Sequence, residues 1–214
     1  MYDLILFDLD GTVTDSQEGI INCLKYALNN MGIDEKNEKN LRRFIGPPLI
    51  DGLIQYYNMT EDIASKALSF YREKYSVEGI FQNKLYEGID KMLEKLKANG
   101  KKTALATSKP QVYAERILEH FGVFDYFDIV VGAELDGTRN DKSEVIAEVL
   151  RIADNFQNAV MVGDRFYDIV GAKKNRIPCI GVTYGFAPDG ELERYGADKI
   201  VNSVGELCEL LLKD

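Results

Sequence analysis

The chain has no tryptophan, a single histidine and three cysteines in 214 residues. With only His120, most catalytic schemes built on imidazole are excluded. Cys23, Cys179 and Cys208 are odd in number, widely spaced and form no C-x-x-C pair, so neither a disulfide framework nor a zinc site is expected, and a reduced cytoplasm fits best. No apolar run approaches the ~20 residues of a membrane span, and the first apolar run begins at Tyr2, which leaves no room for a signal peptide. Positive charge is also scarce: 26 Lys and Arg stand against 35 Asp and Glu, a net charge of −9. That argues against nucleic acid or an anionic membrane as a bulk partner, although an anionic small molecule needs only local positive charge. Internal repeats and low-complexity tracts are absent. Hydrophobic residues make up 45% of the chain, enough to bury a proper core in one large domain or in a domain carrying a smaller insertion.

Strand-like runs recur at 2–7, 102–107, 128–131, 159–163 and 178–182, with a weaker one at 198–201. Helical patterns lie between them, at 88–99, 111–121, 141–154 and 166–175. Alternating strands and helices joined by short loops predict an α/β fold, a Rossmann-like parallel sheet with helices on both faces. Ligands of such sheets bind at the carboxyl ends of the strands. The segment from about 16 to 83 breaks the rhythm. It is poor in strands and carries two helical stripes, one through Ile20, Ile21, Leu24, Ala27, Leu28 and Met31, the other through Ile63, Ala64, Ala67, Leu68, Tyr71 and Tyr75. The expected organisation is therefore a discontinuous core, 1–14 with 84–214, and a helical insertion, 15–83, standing over the active edge as a cap.

Chemistry concentrates at the strand ends. The run Leu4-Ile5-Leu6-Phe7 stops abruptly at Asp8-Leu9-Asp10-Gly11-Thr12. Two carboxylates at the edge of a core are costly unless a cation neutralises them. The second strand ends at Thr107-Ser108-Lys109, the fourth at Gly163-Asp164 with Asp168 one helical turn later, and Lys142 opens the helix before that strand. In a parallel sheet these residues converge on one edge. Carboxylates gathered there repel one another, and a divalent cation resolves the repulsion. An all-oxygen set suits Mg2+, which keeps waters and bonds substrate phosphate. Lys142 adds a second positive charge, and Thr107, Ser108 and the amides near Gly11 can donate to phosphate oxygens. Such a site suits phosphoryl transfer, in which one carboxylate can act as nucleophile and its neighbour can move protons.

Asp8-x-Asp10-Gly11-Thr12-x-Thr14-Asp15, Thr107, Lys142 and Gly163-Asp164-x-x-x-Asp168 resemble, in order and spacing, the four motifs of the haloacid dehalogenase superfamily, and the resemblance spans nearly the whole chain. The helical insertion resembles the C1 cap of its phosphoglycolate-phosphatase-like branch. The resemblance implies Asp8 as nucleophile and Asp10 as acid/base. It implies Mg2+ held by the side chains of Asp8 and Asp164 and the backbone carbonyl of Asp10, with Asp168 supporting through water or Lys142. Thr107 and Lys142 would hold the phosphoryl group. The implied activity is a phosphatase acting on a small phosphorylated metabolite, the chain being a monomer or homodimer. The alternatives are a phosphomutase of the β-phosphoglucomutase type and a non-catalytic sensor of a phosphorylated ligand. Asp10 argues against a dehalogenase, whose branch lacks that acid. Ser143 stands where many phosphoglycolate phosphatases carry proline, and Ser108 where asparagine is common. Asp136-Gly137-Thr138-Arg139 looks more like a branch of 5′-nucleotidase-like phosphatases.

Competing readings are weaker. Glycine falls at the wrong place between Asp8 and Asp15 for a calcium-binding loop, and Gly132-x-x-x-x-Gly137 lacks the Lys-Ser/Thr of a nucleotide-binding loop. His120 reads as a surface or helix-end residue. Lys109 reads either as a substrate contact or as a cover for the following helix. In the insertion, the Phe44–Leu49 stretch, with Gly46 and the adjoining Arg42 and Arg43, is the candidate substrate loop, against the alternative of a plain interhelical turn. Tyr56, Tyr57, Tyr71 and Tyr75 are read as packing more readily than as a base-stacking surface.

Overall fold

The structure is a computed structural model that describes residues 2–213. The chain forms two compact units, Met1–Thr14 with Leu85–Asp214, and Asp15–Lys84. Lys84 thus goes with the inserted unit rather than with the core.

The larger unit is built on a six-stranded sheet in the order β5-β4-β1-β6-β7-β8. Its strands are β1 (Leu4–Phe7), β4 (Lys102–Pro110), β5 (Ile129–Ala133), β6 (Ala159–Gly163), β7 (Cys179–Val182) and β8 (Lys199–Val201); β2 (Thr14–Asp15) and β3 (Lys84–Leu85) form a separate two-stranded ribbon where the chain passes from one unit to the other. Neighbouring strands of the large sheet run parallel. The continuous apolar run of β1 is what a central parallel strand requires, because both its faces are covered. All four of its residues are completely buried. Leu4 and Leu6 face a cluster formed with Ala104, Met161, Val145, Ile146, Val149 and Ile169. Ile5 and Phe7 point the other way, where Phe7 meets Phe127 edge to face at 6.3 Å.

The helices of this unit are α5 (Ile89–Ala98), α6 (Gln111–His120), α7 (Lys142–Ile152), α8 (Phe166–Lys174), α9 (Glu191–Tyr195) and α10 (Val204–Leu212). The first strand starts two residues later than the pattern predicts. β4 runs three residues further, through an irregularity between Ala106 and Pro110 that shifts its register on β5. Register places the functional ends together: Phe7 lies opposite Leu105 on one side and Val162 on the other. The next residues out, Asp8, the Thr107 stretch and Gly163-Asp164, therefore emerge side by side. His120 is the exposed last residue of α6, as a helix-end reading requires.

The smaller unit holds α1 (Gln17–Asn30), α2 (Glu38–Arg42), α3 (Leu49–Tyr57) and α4 (Glu61–Tyr75). The α1 stripe is buried from Gly19 to Leu28, with Met31 just past the helix end. In α4 the buried stripe is Ala64, Ala67, Tyr71 and Tyr75. Ile63 departs from expectation and is 45% exposed, because a neighbour of Ala64 is turned about 100° away from the stripe. Tyr71 and Tyr75 are buried and stacked on each other at 5.2 Å, so they serve packing.

Candidate active site

Beyond β1 the chain turns sharply. Gly11 has φ +87° and donates its N–H to Thr14 O at 2.7 Å, while Val13 and Thr14 donate back to Leu9 O at 2.9 Å. Asp8 is tied to the sheet by its N–H to Val162 O at 2.9 Å, and its Oδ1 accepts from Leu9 N at 2.8 Å. A Cβ on Gly11 would fall on the carboxylate of Asp164, one on Gly163 on that of Asp168, and one on Gly185 on Asp164 and Gly11 O. Glycine is thus required wherever backbone closes around these acids.

One oxygen from each of Asp8, Asp164 and Asp168 lies within 4.8 Å of the others, and all three residues are buried. Lys142 Nζ stands 2.7 Å from Asp8 Oδ1 and 3.0 Å from Asp168 Oδ1, and donates to Ala106 O at 3.1 Å. The start of α7 holds it there. Asp141 caps the helix by accepting from Ser143 N at 2.7 Å, a bond that proline at 143 could not make, and Lys174 binds the other Asp141 oxygen at 3.0 Å. In the preceding loop Arg139 bonds Gly132 O at 3.0 Å and also pairs with Glu134.

The electrostatics are unbalanced. Burial, reinforced by Asp168 and Asp8, pushes Asp164 well above the usual carboxylate range. Burial raises Asp168 to about 6 despite the pull of Lys142. Lys142 itself is raised, the two carboxylates outweighing its own desolvation. Asp164 Oδ2 accepts from Phe186 N at 2.6 Å, but its buried Oδ1 has no hydrogen-bond partner among the described residues. Three clustered carboxylates, an orphaned oxygen and all-oxygen donors fit a hard divalent cation.

Asp10 is placed differently. Its Oδ2 pairs with Lys109 Nζ at 2.7 Å, with both side chains nearly buried, and its buried Oδ1 has no hydrogen-bond partner among the described residues. Its carboxylate therefore stands outside the three-aspartate cluster. Thr107 is buried, and its Oγ1 accepts from Lys109 N at 3.2 Å; Ser108 lies between them. In the helical unit Arg43 is exposed, its guanidinium 5.5 Å from the centre of the Tyr56 ring, and Gly46 turns the chain at φ +104°. Phe44 packs on Tyr56 and Tyr57, and Tyr57 donates to Glu35 at 3.1 Å.

Residues 5–182 match the family model described as haloacid dehalogenase-like hydrolase. The chain belongs to that family. It is 43% identical over 195 residues to a 5′-nucleotidase of Pseudomonas aeruginosa, covering 91% of this chain and 88% of that protein. Tyrosine-protein kinase PtkA of Mycobacterium tuberculosis is 35% identical over 211 residues, covering 97% of this chain and 72% of the kinase. Among solved structures, a predicted phosphatase from Clostridium acetobutylicum superposes with a TM-score of 0.94 at 46% identity, covering 99% of both chains. The chain is an enzyme, a phosphatase of the haloacid dehalogenase family. No helix among the described residues is long and apolar enough to cross a membrane.

Proposed function

We propose that this phosphatase is a Mg2+-dependent phosphomonoesterase that forms an aspartyl-phosphate on Asp8, with small metabolites of the nucleoside monophosphate class as its first candidate substrates. The observation that carries the mechanism is the cluster of Asp8, Asp164 and Asp168 around Lys142. The likeness to the Pseudomonas 5′-nucleotidase, with Ser108, Ser143 and the Asp136–Arg139 stretch, supports nucleotides over phosphoglycolate.

Asp8 and Asp164 would hold the ion, with the Asp10 carbonyl and with Asp168 in support. When bound, it neutralises phosphate charge and keeps the nucleophile ionised. Lys142, Thr107, Ser108 and the amides near Gly11 hold the phosphoryl oxygens. An Asp8 oxygen attacks phosphorus, and the bond from phosphorus to the leaving oxygen breaks. Asp10 gives that oxygen a proton, then takes one from the water that attacks phosphorus, and Asp8 is released with free phosphate. For Asp10 to carry a proton, its pair with Lys109 has to open. Within the helical unit, Arg43 and the Gly46 turn are the proposed substrate contacts. The expected setting is cytoplasmic.

Hydrolysis of p-nitrophenyl phosphate and a panel of nucleoside monophosphates, sugar phosphates and phosphoglycolate tests the reading. Activity should require Mg2+ and vanish in Asp8→Asn. Turnover of none of the panel with Mg2+, Mn2+ or Co2+ refutes it. Return of phosphate to a hexose 1-phosphate instead of to water would make the enzyme a phosphomutase.

A further inference from the structure

Beside the aspartate cluster lies a second buried charge pair that the proposed reaction does not use. Arg165 Nε is 2.9 Å from Glu191 Oε1, with the side chains only 12% and 5% exposed. The same Glu191 oxygen accepts the backbone N–H of Phe166 at 3.0 Å. Arg165 and Phe166 are the first two residues after Asp164, and the N–H of Arg165 donates to Asp168 Oδ2 at 3.1 Å. The stretch leading to Glu191 also supplies Phe186 N, which bonds Asp164 Oδ2 at 2.6 Å. One short segment, residues 186–191, thus contacts the start of the turn joining two acids of the cluster, Phe186 at Asp164 and Glu191 at Arg165 and Phe166.

The placement needs a reason. Glu191 is buried, and a buried carboxylate is costly unless it is paired. Neither contact is needed to close α8, which Asp168 already caps through Arg165 N. The pair reaches the Arg165 side chain and the Phe166 N–H, and these residues lie in the turn that joins Asp164 to Asp168.

We infer that Glu191 is a positioning residue for the metal site: by holding Arg165 and the Phe166 amide it fixes the Asp164–Asp168 turn and sets divalent-cation affinity without touching the ion. The inference rests on reading the aspartate cluster as a metal site.

The test separates reach from charge. Glu191→Asp keeps the charge but withdraws it by one methylene from both contacts; Glu191→Gln loses the charge but keeps an acceptor in place. Mg2+ binding to metal-free protein is measured by isothermal titration calorimetry, and Tm is measured in EDTA to show that each variant is folded. Glu191→Asp should raise the Mg2+ Kd about tenfold, in the range seen when outer partners of metal ligands are removed, while Glu191→Gln should stay within about threefold of wild type. At saturating Mg2+, substrate KM should be unchanged. A Glu191→Asp Kd within twofold of wild type, or a loss in Glu191→Gln as large as in Glu191→Asp, overturns the assignment while leaving the metal site standing. Failure of the wild-type chain to bind Mg2+ overturns the site and this inference with it.

Discussion

Lys142→Met removes an ammonium held between two buried carboxylates and keeps most of the side chain's volume, so the cavity contribution is small. At about 3 Å and an effective dielectric of ~20, each contact is worth roughly 5–6 kcal/mol in direct attraction. Burying the ammonium cancels much of that. Stripping one partner from a buried pair costs about 3–5 kcal/mol net, against a total stability on the order of 5–15 kcal/mol. The variant should fold, but with much of its margin gone. The sign of the pH dependence follows from Asp168. Lys142 pulls its pKa down, while burial and Asp8 push it up. Without Lys142 the folded value rises further above the unfolded one. A carboxyl raised on folding contributes stability that is full below its unfolded pKa and is lost as pH climbs through its folded pKa. The deficit of Lys142→Met should therefore be modest at pH 5 and complete at pH 8. Urea unfolding of metal-free wild type and variant at the two pH values measures it. A deficit below about 1 kcal/mol at pH 8, where removal of one partner of a buried pair predicts several times that, refutes the balance drawn here, as does an equal deficit at both pH values. Hydrolysis should fall at least a hundredfold at saturating Mg2+, the usual cost of losing one transition-state charge contact.

The remaining expectations concern the same cluster and the helical unit. In wild type, Asp168 at about 6 and the raised Asp164 bind protons that a cation must displace, so Mg2+ affinity should climb as pH rises from 5 to 7; a flat calorimetric profile over that range contradicts the pKa assignments. Gly185→Ala sets a methyl against Asp164 and the Gly11 carbonyl, and overpacking of this kind costs about 1–3 kcal/mol. Its Mg2+ Kd should rise along with the loss of Tm, and unchanged metal binding would show that the glycine does not shape the site. Gly19→Ala gains about 1 kcal/mol of helix propensity, but its Cβ would meet the Gly79 carbonyl, so the variant should melt lower by circular dichroism. A higher melting temperature would mean that α1 and the Gly79–Phe81 turn are not in close contact.

What was legible in the sequence was whatever each residue carries in its own side chain and immediate neighbours. Leu4–Phe7 reads as a buried parallel strand because all its residues are apolar, and Ala159–Gly163 matches its predicted strand end to end. Once strand order is assumed, Asp8, Thr107, Lys142, Asp164 and Asp168 follow as strand-end and helix-start groups. The partners of these residues were not legible, because they depend on register and on backbone. Lys109 meets Asp10 through a stretch of β4 whose register slips between Ala106 and Pro110, and no propensity marks that slip. Phe186 contributes an N–H, which no side chain announces. Glu191 lies in no motif and in none of the helical patterns that the sequence shows. It became a candidate for setting the metal site only when the parallel pairing of β6 with β7 brought the segments that follow those two strands together. The ligands of such a site are therefore visible in local sequence, whereas the groups that tune them come from the adjacent strand's connection, and variation there can change metal affinity while every motif residue stays in place.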